Sequence, residues 1–266
     1  MRQLTFDVNA RNGERAIAWT RDGKSLVYSR NTGPSVGNLW KLDLDSGRSQ
    51  QLTFGDDATP HYAETTPDGQ SVIFGYDKGG TSQLWQVGLN GEDLRQISEG
   101  AVAAAPEISP DGKWLYYLSD GLWKRPLDSG PAVKVLEKGA GTVRVSPTEP
   151  GLFAAYYYDR DERAANPWKF VLFNESDPGS FTDLKIAALI YFEWKPDGSG
   201  IYFADNGESY SNIWFRSVTD MSVTKITDFG DQRIGNFAIS PDGGTFAISR
   251  GSAIGRIVRI TPQPAT

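Results

Sequence analysis

The chain has no cysteine and a single histidine in 266 residues. The first absence rules out disulfide frameworks and thiol chemistry, and the second rules out any multi-histidine metal cage. Basic residues are also in short supply. With 27 Lys and Arg against 33 Asp and Glu, the net charge is −6 and the pI about 5.0. Nothing supplies the cationic footprint that a phosphate backbone requires, so nucleic acid is not an expected partner. The longest apolar run, Ile186 to Phe192, has seven residues, far below the roughly 20 that span a bilayer. This segment is expected to make no membrane contact. No signal peptide is expected ahead of the repeats, since Met1-Arg-Gln-Leu-Thr-Phe6 already reads as repeat sequence and the chain is expected to begin inside its first structural unit.

Catalytic signatures are missing too. There is no Gly-x-Ser-x-Gly elbow, no phosphate-binding glycine loop and no zinc spacing. A serine triad would depend on His61 alone, and no serine stands in a nucleophile context. No catalytic residue, metal ligand or cofactor is therefore expected, and the absence of cysteine fits periplasm and cytoplasm alike.

What the chain does have is a repeat. Ile108-Ser-Pro-Asp-Gly-Lys-Trp-Leu-Tyr-Tyr117 returns as Trp19 to Tyr28, Thr65 to Phe74, Trp194 to Phe203 and Ile239 to Ile248, with a degenerate copy from Val145 to Phe153. The Asp-Gly pairs begin at Asp22, Asp68, Asp111, Asp197 and Asp242, in steps of 46, 43, 86 and 45. The 86 is two steps spanning the degenerate copy. A period of about 40 to 45 residues marks a β-propeller with one four-stranded blade per repeat. Ser-Pro-Asp-Gly suits a type I turn that ends in positive φ at the glycine. The triplets that follow, such as Leu26-Val-Tyr28 and Leu115-Tyr-Tyr117, read as buried strands. Hydrophobic content of 39%, with 12% aromatic, is enough for a core built from packed sheet faces, and Gly 29 and Pro 15 suit many tight turns.

Third strands are expected at Asn38–Leu42, Gln83–Val87, Gly121–Arg125 and Asn212–Arg216. Trp40, Trp85, Trp123, Trp214 and Trp168 are read there as a register of inter-blade packing residues. Fourth strands are expected at Gln51-Leu-Thr-Phe54 and its echoes Gln96–Ser98, Lys134–Leu136 and Lys225–Phe229. The N-terminal Gln3-Leu-Thr-Phe6 is a spare copy of this element, and the last repeat lacks one. The expectation is a single all-β domain over 1–266, a six-bladed β-propeller of four-stranded antiparallel blades. In it the N-terminal strand 2–6 joins the last blade at about 237–260, and 261–266 forms a tail. Closing the ring this way would remove open sheet edges. The fourth copy departs from the pattern, with a long charged loop at 156–167.

The Ser-Pro-Asp-Gly-Lys turn, the Leu-Trp third strand, Asp43-Leu-Asp-Ser-Gly47 and the closing Gln-Leu-Thr-Phe together resemble the repeats of TolB-like β-propellers. They are also similar to the propeller of prolyl oligopeptidase-family enzymes. The stretch from Lys225 to Gly251 resembles propellers appended to bacterial membrane-bound kinases and winged-helix regulators. That resemblance implies a sensor domain, periplasmic or otherwise extracytoplasmic within a larger membrane protein; the residues themselves leave a cytoplasmic site open.

One row of residues needs more than folding to explain it. Four positions before each turn Asp, or before Thr148 in the degenerate copy, stand Ala18, Glu64, Glu107, Arg144, Glu193 and Ala238 between apolar neighbours. That alternation belongs to a strand packed on one face. If the first strand of each blade is innermost, four charged side chains meet on the propeller axis, where they must be hydrated or paired, with Arg144 as the natural partner of a glutamate. Two readings stay open: a water-filled structural channel, or a ligand site at its mouth, which Tyr62 and Tyr191 would help to wall. The candidate binding residues are Tyr62, Glu64, Glu107, Arg144, Tyr191 and Glu193, with His61 and Arg233 at the rim of the face that carries the irregular loops. The expected function is that of a non-catalytic, monomeric binding or sensor module for a protein, peptide or small ligand. The alternatives are a hydrolase or lyase using channel carboxylates, or a gating propeller separated from a peptidase domain.

Overall fold

The repeated turn folds through its own side chains. Thr20 Oγ1 donates to Asp22 Oδ1 (2.7 Å), which also accepts from Lys24 N (3.0 Å), while Gly23 N reaches back to Thr20 O (2.9 Å). Thr66 with Asp68, Ser109 with Asp111 and Ser240 with Asp242 repeat the pattern. Each turn glycine has φ near +70°, from 68° at Gly23 to 73° at Gly198 and Gly243. A side chain there would be strained, so the Asp-Gly pair is what the hairpin requires.

The computed structural model describes residues 3–4, 16–31, 36–100, 102–137, 139–158, 167–186, 189–205, 207 and 210–251. The first sheet is β1 (Ile17–Trp19), β2 (Ser25–Asn31), β3 (Gly37–Asp43) and β4 (Ser49–Gln51). The second is β5 (Pro60–Thr65), β6 (Ser71–Tyr76), β7 (Gln83–Gly88) and β8 (Arg95–Gln96). The third is β9 (Ala104–Ile108), β10 (Trp114–Leu118), β11 (Leu122–Pro126) and β12 (Val133–Leu136). The fourth is β13 (Ala140–Val145), β14 (Leu152–Tyr158), β15 (Trp168–Asn174) and β16 (Asp177–Asp183). The fifth is β17 (Leu189–Trp194), β18 (Gly200–Asp205), β19 (Ile213–Ser217) and β20 (Val223–Lys225). All are antiparallel meanders, each strand pairing with its sequence neighbour.

The expectation of six four-stranded blades is corrected to five. The sixth repeat gives a two-stranded sheet, β21 (Arg233–Ile239) with β22 (Phe246–Gly251). Further strands would have to come from 252–260 and from 2–6, and of these only Gln3 and Leu4 are described; they form no strand. The proposed union of the N-terminal strand with the last blade, and the tail at 261–266, thus lie outside the described residues.

The Asn-Leu-Trp and Gln-Leu-Thr motifs turn out to be two halves of one clamp. Asn38 Oδ1 accepts from Thr53 Oγ1 (3.1 Å) and Gly55 N (2.8 Å), while Thr53 Oγ1 accepts from Leu39 N (2.9 Å). Asn212 with Thr227 and Phe229, and Gln83 with Ser98, repeat it. The outer strands consequently stop at Gln51, Gln96 and Lys225, earlier than expected, because Leu-Thr is bent to tie the third strand to the passage toward the next sheet. Trp168 also falls out of the expected register. Trp40, Trp85, Trp123 and Trp214 face Tyr28, Phe74, Tyr117 and Phe203, but the equivalent place in the fourth sheet, opposite Ala155, is held by Val171. Trp168 sits at the far end of its strand, 37% exposed and stacked on Tyr156.

The core lies between sheets. Val27, Leu39 and Leu52 meet Val72, Phe74 and Val87, while Ile73 and Leu84 meet Ile108 and Leu115. Further round, Tyr116 and Leu122 meet Phe153 and Phe173, Phe170 meets Phe192 and Phe203, and Tyr202 meets Phe237. Between the sixth sheet and the first, the described contacts are Ala238 and Ala247 against Ile17 and Leu26, with Leu4 and Trp19 packed alongside. The first strands neighbour one another in turn, β1 by β5, β5 by β9, and onward to β21 beside β1. The charged row is thereby brought around one axis.

Candidate functional site

Five of the six inner strands carry a register irregularity just ahead of the row. It falls between His61 and Glu64, between Ala104 and Glu107, between Ala140 and Thr142, between Leu189 and Tyr191, and between Ile234 and Asn236. Tyr62 and Ala105 adopt φ of 50°, an unusual conformation for residues with a side chain. Bulges twist a strand and re-aim its side chains. Here they recur at one level of the axis, next to the charges.

At that level the charges are organised around Arg144, whose side chain is 7% exposed. Its Nη1 donates to Glu107 Oε1 (2.8 Å), its Nε to Glu193 Oε1 (3.1 Å), and its Nη2 reaches the Tyr191 hydroxyl. Tyr191 in turn donates to Glu193 Oε1 (2.7 Å), and Val145 N donates to Glu107 Oε2 (3.3 Å). The strand–strand seams are pinned in the same way: Trp194 Nε1 donates to Arg144 O (3.0 Å) and Trp19 Nε1 to Ala238 O (3.3 Å). Burial disfavours a charged Arg144, but Glu193, Tyr191 and Glu107 outweigh it and hold the guanidinium ionised. Burial also pushes Glu107 up to about 7, against the pull of Arg144.

Glu64 is different. Among the described residues it has no hydrogen bond and no ion pair. Burial raises its pKa well above the ordinary 4.5, and Glu107 and Glu193 add to the effect. A carboxyl that holds its proton more tightly when folded stabilises the fold at low pH, and that stabilisation is lost as pH rises from 4.5 through the raised value. Glu64→Gln, fixed in the neutral form, is expected to leave the melting temperature at pH 4.5 nearly unchanged. At pH 8 it should raise it by roughly 2–4 °C for each kcal/mol relieved. Melting curves that shift equally at both pH values would contradict this.

These groups face a cavity of about 530 Å³. Its lining runs from Ala16, Tyr62, Tyr191 and Asn236, through the charged row, to a ring of residues preceding the turn aspartates: Arg21, Pro67, Pro110, Pro147, Pro196 and Pro241. The cavity thus reaches the turn face. No described residue of the irregular entry loops lines it.

The structure brings Tyr62, Glu64, Glu107, Arg144, Tyr191 and Glu193 together in this cavity and leaves His61 and Arg233 outside it. His61 packs over Gly75, where any Cβ would lie 2.7 Å from Nε2. Ser82 Oγ (3.1 Å) and Asp77 Oδ1 (3.6 Å) both approach that same ring nitrogen, whereas a relay needs them on opposite nitrogens. Arg233 opens β21, paired across to Gly251. Sequence reasoning missed Asn236 and the turn-face ring. Asn236 occupies the same place before Ala238 as Tyr62 and Tyr191 occupy before their glutamates, so counting that offset through all six copies would have found it. In the 156–167 loop, residues 159–166 lie outside those described. Among the described residues, no helix is long and apolar enough to cross a membrane, and no group of three or more His, Cys, Asp or Glu could hold a metal ion.

No family model matches the chain. It is 28% identical over 130 residues to an uncharacterized protein of Agrobacterium fabrum, covering 47% of this chain and 43% of that protein. TolB from Acinetobacter baumannii superposes with a TM-score of 0.68 at 17% identity, over 81% of this chain and 54% of the other. An oligogalacturonate lyase from Vibrio parahaemolyticus gives 0.59 at 16% identity, over 96% and 74%. The chain therefore spans about half the length of the curated relative and of the Acinetobacter protein. At these identities the likeness shows the fold: a TolB-like β-propeller of small antiparallel four-stranded sheets.

Proposed function

We propose that the chain is a non-catalytic binding or sensor propeller that receives part of a polypeptide partner in its axial channel. The carrying observation is the preformed pocket: an axial cavity whose far side is locked by Arg144, Glu107, Glu193 and Tyr191 and whose mouth is ringed by rigid prolines. Fixed polar groups in a rigid concave site reduce the ordering cost of binding, a design suited to recognition. Catalytic carboxylates need contrasting, accessible protonation states, whereas Glu107 and Glu193 here are bound to one guanidinium. The competing lyase reading draws on the channel carboxylates and on the fold of oligogalacturonate lyase neighbours, and a shared fold does not carry an activity. The resemblance of the repeats to propellers of membrane-bound kinases supports an extracytoplasmic setting within a larger protein.

The test is selection from a random peptide display library, followed by binding to a channel-blocked variant. Ala18 walls the cavity, so Ala18→Trp fills it, with Ala238→Leu as a milder block if the first fails to fold. Selected peptides are expected to lose at least tenfold in affinity to a blocked variant whose melting curve is intact. Peptides that bind the blocked variant unchanged, or turnover of peptide, ester or oligogalacturonide substrates by the wild type, would overturn the reading.

A further inference from the structure

The channel is lopsided. One half is filled by the Arg144 network, in which donors and acceptors are matched. The other half is walled by the methyl groups of Ala16, Ala18 and Ala238 and holds two side chains with an oxygen that makes no hydrogen bond among the described residues. Glu64 is one, lacking any hydrogen bond or ion pair among the described residues. Asn236 is the other: the residue is 5% exposed, and its Oδ1 has no hydrogen-bond partner. Both present acceptors. The Asn236 oxygen left unmet is costly, and a positive charge beside Glu64 would favour its carboxylate over the protonated form that desolvation otherwise favours.

From these observations, and resting on the channel reading above, we propose that the open half of the channel binds a primary ammonium group carried by a peptide, with Glu64 as its counter-ion and Asn236 as a second acceptor. An ammonium has three N–H donors and no acceptor, which complements the oxygens of Glu64 and Asn236. An anion would meet Glu64 and Glu107 and is repelled. The depth suits an extended peptide. Three residues of strand separate Glu64 from Pro67, about 10 Å at the usual rise, and about three residues of an extended chain reach as far. Arg21 stands at the rim where the other repeats have proline. A chain that enters amine first would pass Arg21, whose guanidinium can donate to its carbonyl groups.

The experiment titrates the full chain with three probes: alanine tetrapeptide amide with a free amino terminus, its N-acetylated form, and N-acetyl-Ala-Ala-Lys-Ala amide. Binding is read by NMR from the Asn236 side-chain amide and from the indoles of Trp19 and Trp194, which line the same cavity. Saturable binding of the free tetrapeptide and none of its acetylated form is expected. Binding of the lysine probe as well would extend the source of the ammonium from the chain terminus to the side chain. Glu64→Gln, close to isosteric, should weaken binding at least tenfold and Asn236→Leu about threefold to tenfold, whereas Glu175→Gln, on the outer surface beside Lys124, should not. The proposal falls if the acetylated and free tetrapeptides bind alike, if Glu64→Gln binds as well as wild type, or if neither amine probe saturates up to its solubility limit. If Ala18→Trp abolishes peptide binding that acetylation and Glu64→Gln leave intact, the channel reading survives and the ammonium assignment fails. If Ala18→Trp binds the tetrapeptide as wild type does, both fail.

Discussion

Arg144→Met is expected to cost about 3–5 kcal/mol at pH 8 and much less at pH 5. The substitution removes the cation that two carboxylates share and leaves Glu107 and Glu193, with side chains 12% and 22% exposed, facing each other across a channel. With the guanidinium in place, burial already lifts Glu107 to about 7. Without it the carboxyl rises further, because the one opposing charge is gone. A raised folded pKa means that stability is retained while the group is protonated and lost as the pH climbs through that value. The penalty should therefore grow between pH 5 and pH 8. Adding Glu107→Gln should recover part of it at pH 8, since the pair then carries one negative charge rather than two. Urea unfolding at both pH values checks this, and an equal loss at pH 5 and pH 8 would show that the residue acts through packing instead.

Phe153→Ala should destabilise by about 3–5 kcal/mol at any pH. Phe153 is completely buried where the third and fourth sheets meet, stacked on Phe173 (5.0 Å) and edge-on to Tyr116 (5.0 Å). Truncation removes the ring's burial and both ring contacts and leaves a void between sheets that their hydrogen-bonded strands cannot collapse to fill. For a chain of this length that corresponds to a fall in melting temperature of roughly 10 °C. Phe54→Ala is the control: that side chain is 76% exposed, and a change of under about 0.5 kcal/mol is expected. A Phe153→Ala protein that melts within a degree or two of wild type would mean that this interface contributes little.

The sequence carried the fold where each residue's role was local and repeated. The Asp-Gly turns were legible because a side-chain cap and a positive φ demand particular residues at fixed spacing. The charged row was legible because a polar residue among apolar neighbours breaks a two-residue alternation. Less visible was what depends on partners distant in sequence. Asn38 and Thr53 look like ordinary strand residues until the bond between them is seen, so the clamp was read as strand. The bulges ahead of the row leave no mark in composition, since the residues at those places, Tyr62 and Ala105 among them, have nothing in common. His61 drew attention as the single histidine, but its place is over Gly75, beside the channel rather than in it. The sixth repeat shows the same limit: its hairpin was legible from Ser240-Pro-Asp-Gly243, whereas the further strands expected for it fall on segments beyond the described residues.

Every sheet here is a meander, so nearly all strand pairing joins neighbours in the chain and can form early and independently during folding. The seam between β21 and β1 is the exception. Trp19 Nε1 and Ala238 O are 219 positions apart, and the described packing around them joins Ala238 and Ala247 to Ile17 and Leu26. Because the loop-closing entropy has to be met before such contacts repay it, this seam is the natural last step in assembly and the first place to open. A kinetic consequence follows. Strengthening the seam would slow unfolding while barely changing the folding rate, since contacts absent from the transition state act on the unfolding limb alone. The lifetime of the native propeller is thus expected to depend on the contact between β21 and β1 more than on the aromatic layers between the other sheets.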